Sequence, residues 1–398
     1  MARVERLNSN SDRQPAGALD AAVWRPLPFV MRGSWRIPRR LAWLTGTLGV
    51  LLCSSCSTPA PAAGKGSTLP TPSPGRVSTG HDPSPERRFE FTEPQMGMPF
   101  RLVMYADSGA TATNAARAAF GRIAELNTVL SDYEEDSELT RLSRTAGSGQ
   151  WVPVSEDLWR VLTRGQEFAR KSDGAFDMTV GPLVQQWRRA RRQHQLPPPA
   201  QLAAARHAVG WRFLELDAKT RAVKLAVPRM RLDLGGIAKG YALQEALETL
   251  VLHGIQRALV SGSGDLVAGE APPGKPGWRV EIAPLDAPNA PPARYVSLRR
   301  MALATSGDLF QHVEIDGIRY SHIVDPGTGV GLTDHSLVTV IAPDGMTADA
   351  MSTAVSVLGP ARGMKLVEAE RQAAAQIVRQ PGARLERVES RRLPRYLD

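Results

Sequence analysis

The chain has only two cysteines among its 398 residues, Cys53 and Cys56, and both lie at the end of one apolar run. This scarcity of thiols excludes a disulfide framework, or a metal site made of cysteines, from the rest of the chain. The sequence also lacks the G-x-S-x-G pattern of a serine nucleophile, a zinc-finger spacing and a helix-turn-helix pattern. These absences argue against a hydrolase triad and against a nucleic-acid partner.

Excess positive charge is concentrated near the N-terminus. The formal net charge is +9, and residues 1–55 contain eight arginines, three acidic residues and no lysine. That segment therefore carries +5 of the total, and the remaining +4 is small for a protein that binds nucleic acid. We therefore expect no nucleic acid among the partners.

The N-terminal segment has the pattern of a bacterial export signal. Arginines precede the apolar run Leu41–Leu52, which is too short for a comfortable membrane span. Small residues before Cys56 resemble a lipobox, so we predict that residues 1–56 are an N-terminal extension and lipoprotein signal peptide, with Met31 a candidate true start. A plain cleaved signal and a short membrane anchor are the alternatives. The expected product is an exported, membrane-anchored lipoprotein that faces the periplasm, held by a lipid on Cys56.

The rest of the chain divides by composition. Residues 57–87 are rich in Pro, Ala, Gly, Ser and Thr, which predicts a tether. Residues 88–378 carry alternating helical and strand patterns and predict one large folded domain. Residues 379–398 form an arginine-rich tail that we expect to be solvated.

The most informative stretch is Arg231–Tyr241, which places a carboxylate, a glycine pair and a lysine between an extended run and a helix. Glycines at such a turn let the backbone approach a ligand, and the helix N–H groups are free for phosphate. Lys239 could meet a phosphate charge, and Asp233 could accept hydrogen bonds from a base or sugar. Alone, the same pattern also fits a tight turn with a solvated lysine.

Two further positions suggest chemistry. Asp349 and Thr353 share a face of a helix predicted over 348–358 with Thr347 as its cap, and their oxygens suit a hard cation such as Mg²⁺. An acid that favours the helix dipole, beside a packed threonine, is the alternative. His322 lies among polar residues and glycines, where a neutral imidazole could take a proton near pH 7, or could be purely structural.

Seven short motifs occur in one order along the chain. They are Met96-Gly97, Ser131-Asp132-Tyr133, Asp136-Ser137-Glu138-Leu139, Gly174-Ala175-Phe176-Asp177 with Thr179-Val180-Gly181-Pro182-Leu183, Asp233-Leu234-Gly235-Gly236-Ile237-Ala238-Lys239-Gly240-Tyr241, His322-Ile323-Val324-Asp325-Pro326 and Ala348-Asp349-Ala350-Met351-Ser352-Thr353. Together they resemble the ApbE family, the FAD:protein FMN transferases, over about residues 90–370.

The resemblance implies an α+β fold related to the tunnelling (T-) fold, with FAD and Mg²⁺ between its parts. Family members cleave the FAD pyrophosphate, pass FMN to a Thr or Ser hydroxyl of a partner protein and release AMP. The implied FAD contacts are Met96, Tyr133, Ala175, Phe176, Asp177, Asp233, Lys239, His322 and Ile323. The implied Mg²⁺ ligands are the backbone oxygen of Gly236 and the side chains of Asp349 and Thr353. His322 is the candidate general base, and Asp325 is the alternative.

Some positions depart from the family pattern: Met98, the run Trp187-Arg188-Arg189 in place of Trp-Gly-Phe, and Ser261-Gly262-Ser263-Gly264-Asp265 in place of an Asn-containing Gly-Gly pattern. The basic run Arg188–Arg192 is expected in a solvated loop. An FAD pyrophosphatase that uses water, and a non-catalytic flavin-binding lipoprotein, stay open as other functions. The expected protein partner is an exported redox protein that accepts FMN, and a homodimer is left open.

Overall fold

The computed structural model describes residues 3–6, 86–286, 293–309, 311–382 and 384–398. The strands are β1 (Arg3–Arg6), β2 (Arg87–Gln95), β3 (Met98–Ala106), β4 (Val152–Pro153), β5 (Leu214–Asp217), β6 (Ala222–Leu225), β7 (Ala258–Gly262), β8 (Asp265–Ala268), β9 (Trp278–Ile282), β10 (Arg294–Leu298), β11 (Met301–Gly307), β12 (His312–Ile315), β13 (Ile318–Ser321), β14 (Ser336–Ala342), β15 (Ala374–Arg379) and β16 (Glu386–Glu389). The helices are α1 (Gly109–Leu130), α2 (Glu138–Ser143), α3 (Glu156–Lys171), α4 (Gly181–Gln193), α5 (Pro199–Arg206), α6 (Ala238–Leu252) and α7 (Gly345–Ala369), with short 3-10 turns at Trp211–Phe213 and Leu393–Arg395.

A nine-stranded antiparallel sheet forms the centre of the domain, in the order β1-β16-β15-β14-β11-β8-β7-β3-β2. Smaller sheets join β9 to β10, β12 to β13, and β4, β6 and β5. Helices and an antiparallel sheet therefore share one domain, which is the predicted α+β class.

Both faces of the large sheet are covered. In β3, Leu102 and Met104 point into a core shared with α1, α6 and α7, whereas Val103 points to the opposite face. There it packs with the β9–β10 hairpin, which contributes the buried Val280 and Leu298. This alternation follows from the two-residue period of a strand. Each large apolar side chain that is removed from water contributes roughly 1.5–3 kcal/mol to folding.

Helix α7 begins earlier than the sequence pattern predicts. Asp344 is the N-cap, because its Oδ1 accepts the Thr347 backbone N–H at 2.8 Å and its Oδ2 accepts the Thr347 hydroxyl at 2.6 Å. The prediction that Thr347 is the cap is therefore wrong, since Thr347 lies in the first turn. The first helical segment breaks at Gly359, whose φ is +67°, directly after the predicted end at residue 358, and a second helical segment continues to Ala369.

Two segments that were expected to be solvated belong to the fold. The basic run Arg188–Arg192 lies within α4, and α4 is held by the buried Trp187, whose indole N–H donates to the Gly329 carbonyl at 2.9 Å. The tail beyond Arg379 forms β16, which pairs with β15, and Leu393 beyond it is buried. Composition alone suggested solvated chain, but the apolar residues between the arginines anchor both segments.

The predicted signal segment, the lipidated Cys56 and nearly all of the tether lie outside the described residues. Within the part of the chain that the structure describes, no helix is both long and apolar enough to cross a membrane. The relation to the T-fold and the homodimer stay predictions.

Candidate active site

The stretch Arg231–Tyr241 forms a turn that leads into α6, as its pattern predicts. The Asp233 backbone N–H donates to the Met178 carbonyl at 2.8 Å, and the chain then turns through Gly235 and Gly236. A hydrogen bond of 2.8 Å from the Ala238 N–H to the Leu234 carbonyl closes this turn before the helix starts. The Ile237 and Ala238 N–H groups both donate to the Leu234 carbonyl, and the Gly240 N–H donates to Asp349, so these N–H groups at the start of α6 are not free for phosphate, contrary to the expectation from the sequence.

A close crossing of α6 and α7 sets the position of the charged groups. A Cβ atom at Gly240 would lie 2.1 Å from the Gly345 carbonyl oxygen, and a Cβ at Gly345 would lie equally close to the Gly240 oxygen. Only glycines allow this approach. As a result, the Gly240 backbone N–H donates to Asp349 Oδ2 at 3.0 Å.

Lys239 lies between two buried carboxylates. Its ammonium donates to Asp265 Oδ2 at 2.6 Å and to Asp349 Oδ1 at 2.8 Å. The side-chain exposures of Asp265 and Asp349 are 4% and 2%, so neither charge is dispersed by water. The Asp265 Oδ1 atom also accepts the Thr305 backbone N–H at 3.0 Å, which ties the cluster to β11. Lys239 thus joins α6, β8 and α7 at one point.

The electrostatics of this cluster leave a negative charge in excess. The pKa of Asp265 is raised to about 6, chiefly because burial disfavours the charged carboxylate; Lys239 opposes this rise, and the charge of Asp349 contributes to it. Burial alone would lower the pKa of Lys239, but the attraction of Asp265 and Asp349 outweighs that effect and raises it. With the lysine charged, two carboxylates share one ammonium.

The predicted metal ligands lie side by side next to this cluster. A Cβ at Gly236 would lie 2.9 Å from Thr353 Oγ1 and 3.2 Å from Phe176. Asp349 is on the preceding turn of α7, and Ser306 Oγ lies 3.5 Å from Thr353 Oγ1. The residues described contain no cluster of three or more His, Cys, Asp or Glu side chains able to hold a metal. One carboxylate, a hydroxyl and a backbone carbonyl nevertheless fit Mg²⁺, which takes few protein oxygens when substrate phosphates supply others.

A second polar cluster includes Tyr133 and Asp233. The Arg188 guanidinium donates to Asp132 Oδ2 at 2.5 Å and to Asp233 Oδ2 at 3.1 Å, and it lies 4.1 Å from the centroid of the Tyr133 ring. The pKa of Asp233 is raised to about 6, chiefly because of burial and also by the charge of Asp132, while Arg188 and Arg231 oppose the rise. Tyr133 itself is 73% exposed, so most of its ring is open to a ligand.

The loop that carries Ala175, Phe176 and Asp177 is rigidly held. Asp177 Oδ1 accepts the backbone N–H and the hydroxyl of Thr179, both at 2.7 Å, and Oδ2 accepts the Trp211 N–H at 2.9 Å. Both carboxylate oxygens are therefore committed inside the protein, and burial raises the Asp177 pKa. Asp177 supports the loop, while Phe176 approaches Gly236 directly. The prediction that these residues contact FAD stays a prediction.

His322 is oriented by backbone. Its Nδ1 lies 3.1 Å from the Gln311 carbonyl oxygen, which can only accept, so Nδ1 carries the proton and Nε2 is free to take one. The residue is exposed on one side, and the protein around its other sides lowers its pKa, although the Gln311 hydrogen bond opposes this. Arg191 and Lys239 are near enough to lower the pKa further. The imidazole is therefore neutral at pH 7.

Asp325 is engaged in its own turn. Its Oδ1 accepts the Gly327 N–H at 2.8 Å, and its Oδ2 accepts the Thr328 hydroxyl at 3.0 Å. The neighbouring Ile323 is buried. Since both oxygens of Asp325 stabilise the loop, the geometry favours His322 over Asp325 as a base.

The remaining predicted contact, Met96, lies in the turn between β2 and β3, where Met96 and Gly97 have φ of +49° and +75°. The structure thus joins Gly236, Lys239, Asp349 and Thr353 in one cluster. Tyr133 and Asp233 lie together in a second cluster.

The sequence analysis assigned no role to Asp265 or Arg188. Both residues were noted only because their segments depart from the family pattern. An acidic residue in the otherwise apolar strand β8 was the signal for Asp265. For Arg188, the signal was an arginine directly after a buried tryptophan in a helix.

The fold and the site together define a single-domain α+β protein with a polar site where α6 and α7 meet the large sheet. The sequence profile described as the ApbE family matches residues 96–377. That match spans more than half of the chain, so the chain belongs to the ApbE family.

Curated relatives share this span. The chain is 32% identical over 287 residues to the FAD:protein FMN transferase of Haemophilus influenzae, a match that covers 70% of this chain and 83% of the relative. It is 36% identical over 253 residues to the protein of that name from Escherichia coli, covering 61% and 70% of the two chains.

Solved structures agree. The flavin transferase ApbE from Vibrio cholerae superposes with a TM-score of 0.68 at 27% identity, over 79% of this chain and all of the other. The flavinyl transferase ApbE from Pseudomonas stutzeri superposes with a TM-score of 0.69 at 30% identity, over 78% and 97%.

Proposed function

We propose that this protein transfers FMN from FAD to a Thr or Ser hydroxyl of an acceptor protein and releases AMP. The observation that carries the proposal is the cluster of Lys239, Asp349, Thr353 and Gly236 beside the turn into α6. Once Mg²⁺ offsets its excess negative charge, such a cluster suits a pyrophosphate, because phosphoryl transfer depends on positioning and on neutralising charge. The names of the relatives, FAD:protein FMN transferases, support the same reaction.

The proposed metal is Mg²⁺, held by Asp349, Thr353 and the Gly236 carbonyl oxygen. When bound, it would neutralise charge on the pyrophosphate and so favour its cleavage. Lys239 would place a second positive charge there. Tyr133 and Asp233 would hold other parts of FAD.

The bond changes assign a role to His322. The acceptor hydroxyl oxygen bonds to the phosphorus of the FMN half, and the bond between that phosphorus and the bridging oxygen breaks. AMP leaves with the bridging oxygen. The free Nε2 of His322 takes the hydroxyl proton, which its neutral state at pH 7 permits.

The proposal is tested by incubating the protein with FAD, Mg²⁺ and a candidate exported redox protein. We expect AMP in solution and a fluorescent flavin that stays on the acceptor in a denaturing gel. AMP and free FMN without a labelled acceptor would instead identify an FAD pyrophosphatase. Bound FAD that is never cleaved would identify a flavin-binding protein and refute catalysis.

We further propose that the protein is exported to the periplasm and anchored by a lipid on Cys56. Arginines before an apolar run, followed by small residues and Cys56, support this location.

A further inference from the structure

One arginine holds together the residues of the second polar cluster. Arg188 bonds Asp132 and Asp233, which come from motifs far apart in the sequence, and the face of its guanidinium covers one side of Tyr133. Its side chain is only 20% exposed, and each carboxylate is 9% exposed. The three contacts use both the donor edges and the flat face of the group, which lysine could not reproduce.

The same geometry explains why a cation is needed here. Two nearly buried carboxylates lie on either side of Arg188. Like charges repel each other more strongly inside a protein than in water, because the effective dielectric constant is lower there. A second arginine, Arg231, donates to the Asp132 carbonyl oxygen at 2.7 Å, so its hydrogen bond there is to backbone. Arg188 is therefore the group that bonds both carboxylates directly.

Trp187 and the hairpin β12–β13 fix the place of Arg188. The Trp187 ring packs 5.0 Å from the Tyr320 ring, centroid to centroid, and this contact seats α4 against the hairpin. The next residue along the helix is Arg188. The packing of Trp187, rather than contact with a ligand, therefore fixes the position of Arg188.

We propose that Arg188 is a positioning residue for FAD: it fixes the Tyr133 ring and neutralises the Asp132–Asp233 pair, so that a dinucleotide with a negatively charged pyrophosphate can bind. The inference rests on the proposed function, because FAD is its ligand. In this arrangement Tyr133 presents its uncovered face to a ring of FAD. The Oδ1 atom of Asp233 points toward the turn, where it accepts the Gly235 N–H at 2.9 Å.

The test measures FAD binding by the change in flavin fluorescence, without acceptor protein, so that it does not depend on transfer. Arg188→Gln should weaken FAD binding by at least about tenfold, because the carboxylates then lose the cation that bonds both of them, and the charge of Arg231 acts on Asp233 only through space. The FAD affinity of Arg188→Lys should lie between those of the parent protein and Arg188→Gln, since lysine keeps the positive charge but cannot bond both carboxylates in the same way. Arg189→Gln is the matched control, since Arg189 lies on the same helix and reaches only the exposed Gln201. Thermal unfolding of every variant separates lost binding from lost folding.

A double variant distinguishes positioning from direct contact. Arg188→Gln with Asp132→Asn removes both the cation and one of the repelling charges, so we expect it to recover most of the FAD affinity. No recovery would show that Arg188 does not act by neutralising the Asp132–Asp233 pair and would overturn that part of the positioning role. Unchanged FAD binding by Arg188→Gln would overturn it as well.

The outcomes also separate this inference from the proposed function. If the parent protein does not bind FAD, the proposed function fails and the inference falls with it. If the parent protein binds FAD and transfers FMN while Arg188→Gln does both equally well, only the inference fails. Should Arg188→Gln not fold, Arg188→Lys with an unchanged melting temperature and weaker FAD binding still supports the proposal, and unchanged binding refutes it.

Discussion

At the scale of single residues, the site depends on the sharing of charge. Lys239 is the ammonium that Asp265 and Asp349 hold in common, and Asp349 also accepts a backbone N–H from Gly240. Every oxygen of Asp349 thus has a partner, which orients the carboxylate without leaving it free to rotate. A cation and a phosphate would meet groups that are already in place.

Asp349→Ala removes the one carboxylate among the proposed ligands of Mg²⁺. Removal of supporting groups around metal ligands typically costs 10–100-fold in affinity, so loss of the ligand itself should weaken Mg²⁺ binding by at least about a hundredfold. Calorimetric titration of Mg²⁺ into the FAD-loaded protein measures this. Ser356→Ala, farther along α7, is the control and should leave affinity unchanged. Full Mg²⁺-dependent turnover by Asp349→Ala would show that the metal binds elsewhere.

His322→Ala should still bind FAD but should transfer FMN at least about a hundredfold more slowly, since general-base catalysis contributes about 10²–10⁴-fold. Single-turnover assays at saturating FAD measure the rate. Asp325→Asn is the comparison, and near-normal transfer is expected because its carboxylate is engaged by Gly327 and Thr328. A collapse in Asp325→Asn with normal transfer by His322→Ala would make Asp325 the base.

The pH dependence of transfer gives a further check on His322. Protein around the ring lowers its pKa below the ordinary 6.5, so the active neutral form persists as the pH falls past that value. Water on the exposed side keeps this shift smaller than complete burial would. We expect the rate to stay level from pH 8 down to about 6.5 and to fall only below it. A fall that begins above pH 6.5 would contradict a lowered pKa.

At the scale of secondary structure elements, the crossing of α6 and α7 is the feature that brings the site together. Gly240 and Gly345 let the helix backbones touch, and α7 then delivers Asp349 to the N-terminal turn of α6. Helix α4 likewise positions site residues through two of its arginines. Arg188 and Arg191 lie one turn apart on it, and Arg191 donates to Gln311, whose carbonyl orients His322.

Gly240→Ala should destabilise the domain, because the added Cβ meets the Gly345 carbonyl at 2.1 Å and backbone must move. Overpacking typically costs about 1–3 kcal/mol, and a backbone clash should reach the upper part of that range or exceed it. Chemical denaturation measures the free energy of unfolding. Gly121→Ala in α1 is the control, since nothing lies within 4 Å of its added Cβ. That change should stabilise by about 0.5–1 kcal/mol, and equal effects would refute the crossing as the cause.

Local chemistry predicted elements better than it predicted contacts. Ser155 is a residue type preferred at a helix N-cap, and its hydroxyl oxygen does cap α3 by accepting the Leu158 N–H. At α7, Asp344 and Thr347 are both good capping residues three positions apart, so the pattern alone did not choose between them. The ion pairs of Lys239 and Arg188 join residues that are 26 to 110 positions apart, and no local period reveals such a pairing.

At the scale of the whole molecule, the described domain is built around one nine-stranded antiparallel sheet that is covered on both faces, with the site where α6 and α7 meet this sheet. Its proposed attachment to a membrane depends on Cys56, which lies outside the described residues. The proposed catalytic site and the proposed anchor are thus separate parts of the chain, so each can be altered without the other.

Cys56→Ala should release the protein from membranes or leave an uncleaved precursor, because the lipid attaches to that thiol. Fractionation of expressing cells into membrane and soluble parts, with the size of the protein on a gel, measures both effects. Cys53→Ala is the matched control and should leave anchoring intact. Unchanged membrane association and unchanged size in Cys56→Ala would refute the lipid anchor.

The strand order also governs when the site can exist. Phe100 in β3 pairs with Gly262 in β7, and β11 is paired on both sides only after β14 has been made. Such long-range pairing forms slowly, because loop-closure entropy opposes it until the late contacts are made. Lys239, Asp265 and Asp349 enter a growing chain in that order. A nascent fragment that stops before α7 therefore contains Lys239 and Asp265 but lacks Asp349. The complete site can form only near the end of synthesis.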